Sequence, residues 1–258
     1  MPEIPDIENF CKNLKTMLAG KKLHKVKVIN GKKLQDKPAV LSKRLQGSKV
    51  SNVFRSGKEL RLVFSNGSIL GIHLMLTGDL IPFEGINERK SSIIEFHFEG
   101  GPSIVLADRM KNANVKLDPE DKDGIDALDK KLDYKYLRQL LNKKANVKNI
   151  LLDQNKIRGI GNSYSDEILW QTRISPFSVA EAIPDDKVKE LAKTIKSVLT
   201  GATKKISKTH PGIIFGEVKE FLQIHTKKKT ESPTGYPIKT EDRGMLKTYY
   251  TDEQVLYK

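Results

Sequence analysis

The first residues of the chain carry a reactive group that needs no cofactor. Removal of Met1, which a small second residue permits, would leave Pro2 with a free secondary amine. The pKa of an α-amino group is about 8, so much of this amine is uncharged at neutral pH and is a usable nucleophile. Attack on a sugar C1′ would give a cationic iminium, and Glu3 beside it could move protons during ring opening and elimination. An ordinary Met-Pro terminus is the alternative for this pair taken alone.

A second reactive pattern lies at residues 151–167, LLDQNKIRGIGNSYSDE. Two helical stretches flank Gly159-Ile160-Gly161-Asn162. Glycines let the backbone approach a phosphate closely, and Asn162 stands at the start of a helix, where amide groups and the helix dipole attract anions. A plain helix hairpin would also use glycine here. The GIGN sequence followed by an aromatic residue and an acid favours a DNA-phosphate site.

The net charge points to a polyanion. The chain has 46 Lys and Arg against 32 Asp and Glu, a net charge of +14 and a pI near 9.6. Lysine-rich surfaces also occur on ordinary soluble proteins, so charge alone names no partner. Most of the excess lies in residues 1–64, the stretch that also holds Pro2 and Glu3. This concentration favours nucleic acid as the partner.

Composition excludes several classes. The single cysteine, Cys11, rules out a disulfide within the chain and a cysteine-based zinc site, and the five histidines lack metal-ligand spacing, so we expect no metal or other cofactor. No apolar run approaches the roughly 18 residues needed to cross a bilayer, and the first residues have no signal-peptide pattern, so we expect no membrane association and an intracellular protein. Cys11 lies on the apolar face of a predicted helix, where a small core residue is expected.

The elements that must position these residues change character along the chain. Apolar residues at spacings of three and four predict a helix over 5–18, ending near Gly20. Alternating segments joined by short turns then predict antiparallel strands. The predicted strands are 23–29, 50–55, 60–64, 69–76, 93–98 and 103–107.

The second half is predicted to be helical. An acidic segment, 118–133, reads as a solvated linker. Helices are expected at 147–154 and 162–172, and a further helix is expected to open with Asp185 as its N-cap. The tail, 223–258, is β-like again. The fold class is therefore α+β, with a β-rich N-terminal domain and a helical C-terminal domain that carries a small β appendix.

Four motifs resemble one known family. They are PEIPDIE at 2–8, GKEL at 57–60, HLMLTGDL at 73–80 and DQNKIRGIGNSYSDEILW at 153–170. Their order and spacing are similar to those of the formamidopyrimidine-DNA glycosylase / endonuclease VIII superfamily over almost the whole chain, and most similar to a divergent branch without zinc.

The resemblance implies domain boundaries. It implies an N-terminal antiparallel β-sandwich domain with an N-terminal helix, a C-terminal domain with a helix–two-turn–helix, and a zinc-less β-hairpin finger. The expected boundaries are 1–117 for the catalytic sandwich, 118–133 for the linker, 134–222 for the helical domain and 223–258 for the finger.

The resemblance also implies roles for individual residues. Pro2 is the nucleophile that displaces the damaged base and forms a Schiff base, and Glu3 is its acid/base partner. Lys58 contacts the phosphate next to the lesion and is counted with Pro2 and Glu3 among the catalytic residues, and Asn162 binds phosphate from the helix hairpin. His73 contacts the DNA backbone, with a hydrogen-bonded sheet histidine as the alternative.

Other positions depart from the family pattern. Asp6 stands where the family has a longer carboxylate, and it is expected in the base pocket. The family methionine that fills the space left in the base stack aligns with Leu76. Met75 lies one position earlier, on the opposite strand face. A leucine can still wedge into a base stack. In the following loop, 108–113, Arg109 or Lys111 could fill the place of the family arginine, but no aromatic residue is present.

The tail departs most. Residues 223–238 and 247–254 resemble the two ends of the family's zinc finger, but the four cysteines are absent. Residues 234–238 and the pair Tyr249-Tyr250 predict a hairpin packed by aromatics instead of metal. The finger arginine aligns with Met245 or Leu246, and Lys247 or Arg243 is expected to take over its phosphate contact.

The function implied by the resemblance is a bifunctional DNA glycosylase/AP lyase of base-excision repair. It would excise oxidised bases, of the 8-oxoguanine and formamidopyrimidine type first and oxidised pyrimidines second, and cleave the strand by β,δ-elimination. The expected partner is double-stranded DNA containing damaged bases or abasic sites, clamped between the N-terminal domain and the helix hairpin. We expect a monomer without cofactors in the bacterial cytoplasm, acting at the nucleoid. The alternative is a catalytically weak or inactive protein of the same fold that binds lesions or abasic sites. An RNA-binding module is disfavoured because the chain has no aromatic ribonucleoprotein signature.

Overall fold

The computed structural model describes residues 1–244 and 246–258 and divides into two compact units. The N-terminal unit contains Met1–Asp121 and Ile206–Glu217, and the C-terminal unit contains Lys122–Lys205 and Val218–Lys258. Among the described residues, no helix has the length and apolar character required to cross a bilayer.

The N-terminal unit is built from two four-stranded antiparallel sheets and two helices. The sheet orders are β1-β6-β7-β5 and β2-β3-β4-β8, so the antiparallel pairing predicted from the short turns is confirmed. Side chains of both sheets share one apolar core. The elements are α1 (Ile4–Leu18), β1 (Leu23–Val28), α2 (Pro38–Leu45), β2 (Val50–Ser56), β3 (Glu59–Phe64), β4 (Ile69–His73), β5 (Gly78–Phe83), β6 (Ser92–Phe98), β7 (Ser103–Asp108) and β8 (Asn114–Leu117).

Helix α1 places the N-terminus on this core. Ile7, Phe10, Leu14 and Leu18 are almost fully buried, as the spacing of three and four predicts. Each large side chain buried in this way contributes about 1.5–3 kcal/mol to folding. Cys11 is buried among them, and burial followed by the nearby Glu8 charge raises the pKa of its thiol to about 12, which confirms a core cysteine.

Helices are the largest regular elements of the C-terminal unit. Its long helix α6 ends within the segment that groups with the N-terminal unit, and its tail forms an antiparallel hairpin, β11–β12, which confirms the predicted β appendix. Met245, one of the two positions aligned with the finger arginine, lies outside the described residues. The elements are β9 (Ile125–Asp126), α3 (Tyr134–Leu141), α4 (Val147–Leu152), β10 (Ile157–Arg158), α5 (Asn162–Gln171), α6 (Asp185–Thr209), β11 (Lys239–Arg243) and β12 (Leu246–Tyr250).

Several predicted element boundaries differ from the structure, and two of the differences have a clear physical reason. The strand expected over 69–76 ends at His73, because Met75 has a positive φ of 53°, which is incompatible with a strand. The helix expected to be capped by Asp185 begins at that residue, so its carboxylate lies in the first turn, where it favours the helix dipole.

The prediction of a solvated linker over 118–133 is wrong for its second half. Strand β9 pairs in parallel with β10, and Ala127 and Leu132 are fully buried. The segment contains seven acidic residues and few apolar ones. Its composition therefore gives no sign that two of the apolar side chains are buried.

The compact units also differ from the predicted domains at residues 206–217, which were expected in the helical domain. Ile214 is buried in the core of the N-terminal unit. The side chain of Asn13 donates to the Ile213 carbonyl at 2.7 Å, and the Gly216 amide donates to Asp79 at 2.9 Å. Ile213 and Ile214 pack against the apolar core of the N-terminal unit. This packing explains why the segment groups with the sheets rather than with the preceding helices.

Candidate catalytic and nucleic-acid-binding residues

Pro2 and Glu3 lie at the N-terminus of α1, where both are buried. The Glu3 carboxylate accepts the backbone N–H of Asp6, and the Asp6 carboxylate accepts the backbone N–H of Glu3 at 3.3 Å. This reciprocal capping box satisfies two amides at the helix terminus, and the positive end of the helix dipole favours both carboxylates. The structure therefore fixes an acidic group directly beside Pro2, and it assigns Asp6 a capping role that the sequence analysis missed.

Another carboxylate faces the N-terminal amine. Met1, which is present in the chain as described, forms an ion pair through its ammonium group with Glu217. Glu217 ends the 206–217 segment that groups with the N-terminal unit. No sequence signal links these two residues, because the contact joins opposite ends of the unit's chain.

Lys58 occupies the hairpin turn between β2 and β3, as predicted. Gly57 has a φ of +59°, which few other residues adopt without strain. The Arg55 side chain is 5% exposed; it pairs with Glu8 at 2.8 Å and donates to the Gly57 carbonyl at 2.8 Å. Arg55 and Glu8 thus hold the turn that carries Lys58, and sequence reasoning did not single them out.

His73 and Leu76 lie on either side of one tight turn. The His73 Nδ1 accepts the Met75 amide at 3.1 Å, which agrees with the sheet-histidine alternative on that side of the ring. Leu76 is 61% exposed, which is unusual for a large apolar side chain. A Cβ at Gly78 would lie 2.2 Å from the Leu74 carbonyl oxygen, so the turn that presents Leu76 requires glycine.

Asp108 ties the loop at 108–113 to this turn. Its carboxylate accepts the Thr77 hydroxyl and the amides of Met110 at 3.0 Å, Asn112 at 2.7 Å and Ala113 at 2.8 Å. Burial works to raise the pKa of Asp108, but these hydrogen bonds outweigh it, so the pKa lies below its ordinary value.

The loop therefore presents three exposed side chains close to the Leu76 turn, those of Arg109, Met110 and Lys111. Arg109, the predicted DNA contact, is exposed, and Met110 is 52% exposed. Met110 supplies an apolar group where the sequence analysis found no aromatic.

The GIGN segment is shaped by Gln154. Its side-chain amide donates to the carbonyls of Leu152 at 2.9 Å and Ile160 at 2.8 Å, while its oxygen accepts the Gly159 amide at 2.9 Å. Gly159 has a φ of +101°. Asn162 is the first residue of α5, as predicted, so its backbone belongs to a helix N-terminus that suits an anion.

The side chain of Asn162 also reaches the hairpin. Its Nδ2 donates to the Lys247 carbonyl at 2.9 Å. Lys247 is 43% exposed on β12, and its ammonium lies 3.7 Å from an Asp242 carboxylate oxygen. The structure thus brings two predicted DNA-binding residues together through a contact between α5 and the hairpin.

Asp166, buried in α5, holds the middle of the hairpin. It pairs with Lys148 at 2.6 Å and with the His225 ring at 2.7 Å, and it accepts the Tyr249 amide at 2.9 Å. The Lys148 ammonium also donates to Thr248 at 2.9 Å.

The neighbouring Glu167 holds the chain that leads into the tail. Its carboxylate accepts the amides of Gln223 at 2.8 Å, Ile224 at 2.9 Å and His225 at 2.8 Å. Burial nonetheless raises the pKa of Glu167 above its ordinary value.

The residues of the tail do not fit the zinc ion of the family's finger. Residues 223–258 contain no cysteine, and Cys11 is buried in α1 of the N-terminal unit. The one histidine of the tail, His225, already bonds Asp166. Within 1–244 and 246–258, no three His, Cys, Asp or Glu side chains are grouped so that they could hold a metal ion.

The aromatic packing predicted for the hairpin is only partly correct. Tyr249 packs with Trp170 and Ile224, and Tyr250 meets the Phe177 ring edge-on with centroids 4.9 Å apart. Tyr236 is 46% exposed and adds little to this packing.

Comparisons with known proteins define the class and then the family. The sequence profile of the formamidopyrimidine-DNA glycosylase N-terminal domain matches residues 1–115, and that of the family's H2TH domain matches residues 124–211. A formamidopyrimidine-DNA glycosylase from Lactobacillus johnsonii is 30% identical over 277 residues, covering 100% of both chains. One from Mycoplasma genitalium is 30% identical over 245 residues, covering 88% of this chain and 86% of its own. The chain belongs to the formamidopyrimidine-DNA glycosylase family.

Comparison with solved structures gives the same fold as the family assignment. The structure of Lactococcus lactis formamidopyrimidine-DNA glycosylase, non-covalently bound to DNA containing an AP site, superposes with a TM-score of 0.87. That protein is 22% identical, and the alignment covers 98% of this chain and 99% of that one. The predicted α+β class and the predicted superfamily are both confirmed.

Proposed function

We propose that the protein is a DNA glycosylase of base-excision repair with AP lyase activity, and that the Pro2 amine is its nucleophile once Met1 is removed. The observation that carries this proposal is the buried Pro2-Glu3 pair at the start of α1, where the capping box fixes the Glu3 carboxylate. A protein that only binds lesions has no need for a nucleophile and a positioned acid at its N-terminus. The names of the relatives support the same activity.

The proposed reaction begins at the sugar. The Pro2 nitrogen attacks C1′ of the damaged nucleotide, the C1′–N bond to the base breaks, and the base leaves with a proton taken from water. The Glu3 carboxylate takes the N–H proton of the attached Pro2 nitrogen and delivers it to O4′ as the bond from C1′ to O4′ breaks, and the freed lone pair of the nitrogen completes a cationic iminium. The Glu3 carboxylate can act as donor or acceptor in these steps because it lies beside the nitrogen.

Strand cleavage follows from the iminium as an electron sink. Loss of a C2′ proton expels the 3′ phosphate by β-elimination, and a second elimination expels the 5′ phosphate. Water then hydrolyses the iminium and returns the Pro2 amine. No oxidant, reductant or metal enters these steps.

DNA binding is assigned to both units. In the N-terminal unit, Lys58 and His73 contact phosphates, while Leu76 and Arg109 on their linked loops enter the space left by an extruded base. In the C-terminal unit, Asn162 at the helix N-terminus binds a backbone phosphate. Lys247 on β12, whose carbonyl bonds the Asn162 side chain, adds a positive charge beside this phosphate site.

The proposed substrates are oxidised bases in duplex DNA, with 8-oxoguanine and formamidopyrimidine types ahead of oxidised pyrimidines. Asp6 is proposed to act on the base pocket through Glu3, since its carboxylate bonds the Glu3 amide. The relatives are bacterial, which supports action in the cytoplasm at the nucleoid.

Trapping with borohydride tests the lyase. Incubation with abasic-site DNA and borohydride should give a covalent adduct, because the reductant converts the iminium to a stable amine. Pro2→Gly should abolish the adduct, whereas the matched substitution Pro38→Gly, at the exposed start of α2, should leave it intact. Mass spectrometry should show that Met1 is absent.

The same experiment distinguishes an AP lyase from a protein that only binds lesions. A wild-type protein that binds the DNA but gives neither adduct nor strand cleavage would favour the binding-only alternative. Retention of Met1 in an active protein would remove Pro2 from the mechanism.

A further inference from the structure

The residue that follows the hairpin, Glu253, lies at the centre of a polar cluster that the proposed chemistry does not use. Its side chain is 8% exposed, and its carboxylate pairs with Arg173 at 2.8 Å. Four neutral donors also bond it. They are Thr234 Oγ1 at 2.6 Å, Trp170 Nε1 at 3.0 Å, Thr251 Oγ1 at 3.0 Å and Ser232 Oγ at 3.1 Å.

These partners come from three segments of the C-terminal unit. Trp170 and Arg173 lie at the end of α5, residues 232–234 precede the hairpin, and Thr251 follows it. One carboxylate therefore joins both ends of the hairpin to α5. It accepts bonds on both oxygens, which is what a charge at this level of burial requires.

The surrounding packing explains why such a group is needed. A hairpin of two five-residue strands buries too little apolar surface to be stable by itself. Its apolar support is a small cluster around Trp170, Ile224 and Tyr249, together with the edge-on contact between Tyr250 and Phe177. Small modules of this kind ordinarily rely on a metal ion or another cross-link.

We propose that the Glu253 carboxylate takes the structural place of the absent metal and is the positioning residue of the finger. Like a metal ion, it gathers several polar groups from segments distant in sequence around one charge, and it does so with hydrogen bonds strengthened by that charge. Asp166 adds a similar contact at mid-hairpin, through Lys148, His225 and the Tyr249 amide.

The consequence for DNA, which rests on the proposed function, runs through Asn162. The Asn162 amide bonds the Lys247 carbonyl on β12, so the placement of the hairpin and the placement of the phosphate-binding asparagine depend on each other. Loss of the Glu253 carboxylate should therefore weaken DNA binding without changing the chemical step.

The substitution Glu253→Gln tests this with little change in shape. An amide cannot accept all of these donors and no longer pairs with Arg173, so we expect the Kd for abasic-site DNA to rise about tenfold or more. The borohydride trapping rate at saturating DNA should stay within about twofold, because the N-terminal groups are untouched. Hydrogen exchange of residues 239–250 should become faster. The matched control, Asp252→Asn, removes a neighbouring carboxylate that is 62% exposed and pairs with Lys239, which is 47% exposed. Exposed ion pairs contribute little, so all three measurements should change much less than in Glu253→Gln.

Metal analysis completes the test. The purified wild-type protein should contain no stoichiometric zinc, and a chelator should leave its DNA binding and hydrogen exchange unchanged. If Glu253→Gln fails to fold, Ser232→Ala, which removes one donor, should give a smaller change in the same direction.

Two results would overturn the proposal. One is stoichiometric zinc whose removal loosens residues 239–250, and the other is a Glu253→Gln protein that behaves like Asp252→Asn. Absence of the borohydride adduct in the wild type would instead count against the proposed function, since binding and hydrogen exchange do not depend on the lyase.

Discussion

The two units hold their functional residues in different ways. In the N-terminal unit, two four-stranded sheets and α1 bury a continuous apolar core, and Glu3 is fixed at the end of a helix that this core holds. In the C-terminal unit, the hairpin is held by charges, chiefly Asp166 and Glu253, with limited apolar packing beside them. Two four-stranded sheets packed with a helix can bury enough apolar surface, and a two-stranded hairpin cannot, so the second region depends on charge-assisted hydrogen bonds.

This difference has a physical consequence. Apolar burial depends little on pH, whereas a carboxylate contributes only while it is ionised. The chemistry at the N-terminus and the grip of the hairpin should therefore respond differently to the same change of conditions. Substitutions in the two regions should separate these responses.

The largest effect is expected for Glu3→Gln. Removal of the acid/base group should slow base excision by about 10²–10⁴-fold, while the Kd for abasic-site DNA stays close to that of the wild type. Single-turnover excision measured beside DNA binding tests this. Glu99→Gln, in an exposed turn of the same unit, serves as the control. A Glu3→Gln enzyme with near-normal excision would show that another group moves the protons.

Asp166→Asn should lower the free energy of unfolding of the C-terminal unit by about 3–5 kcal/mol. The substitution leaves the Lys148 ammonium, which is 5% exposed, without its carboxylate partner. Denaturant unfolding followed by Trp170 fluorescence, the single tryptophan of the chain, reports on this unit. A loss below about 1 kcal/mol would mean that the buried pair contributes little.

Phe64→Ala should cost the N-terminal unit a similar amount, about 3–5 kcal/mol, through a cavity in its apolar core. This loss should be nearly constant between pH 4 and pH 8, because the burial of an apolar side chain involves no ionisable group. The Trp170 signal of the other unit should keep its own transition. A strongly pH-dependent loss for Phe64→Ala would remove the contrast between the two regions.

A pH effect is expected from Glu253. Burial works to raise the pKa of this carboxyl, but hydrogen bonds from Thr234, Trp170, Thr251 and Ser232 leave it below its ordinary value of 4.5. The stabilisation is therefore complete above pH 4.5 and is lost as the pH falls through the lower folded-state pKa. The stability difference between the wild type and Glu253→Gln should shrink on acidification below that point. A difference that stays constant would mean that the charge, which faces Arg173, is unimportant.

The smallest effect is expected for Lys247→Ala. Loss of one phosphate contact should weaken DNA binding a few-fold and reduce the slope of log K against log salt by about 0.9. Lys193→Ala, at an exposed position of α6, should leave the slope unchanged. An unchanged slope for Lys247→Ala would mean that another residue makes the finger's contact with the phosphate.

Much of the site could be predicted because its signals are local. The apolar spacing of α1, the Lys58 turn and the GIGN helix start each depend on residues a few positions apart, and each lies where the pattern indicates. The errors arose where local composition misleads. The acid-rich segment 118–133 hides two buried side chains, and the positive φ of Met75 ends a strand that the apolar pattern extends.

The sequence by itself determined which groups are available: a proline at position 2 with an acid beside it, an asparagine at a helix start, and a tail without the cysteines that zinc would need. Only the tertiary structure decided how these groups are held. Asp108 bonds Thr77 across two loops, Glu217 meets the N-terminal amine, and Glu253 gathers donors from α5 and both ends of the hairpin. Such contacts join residues far apart in the chain, and a carboxylate has no spacing rule that reveals its partners before the chain folds.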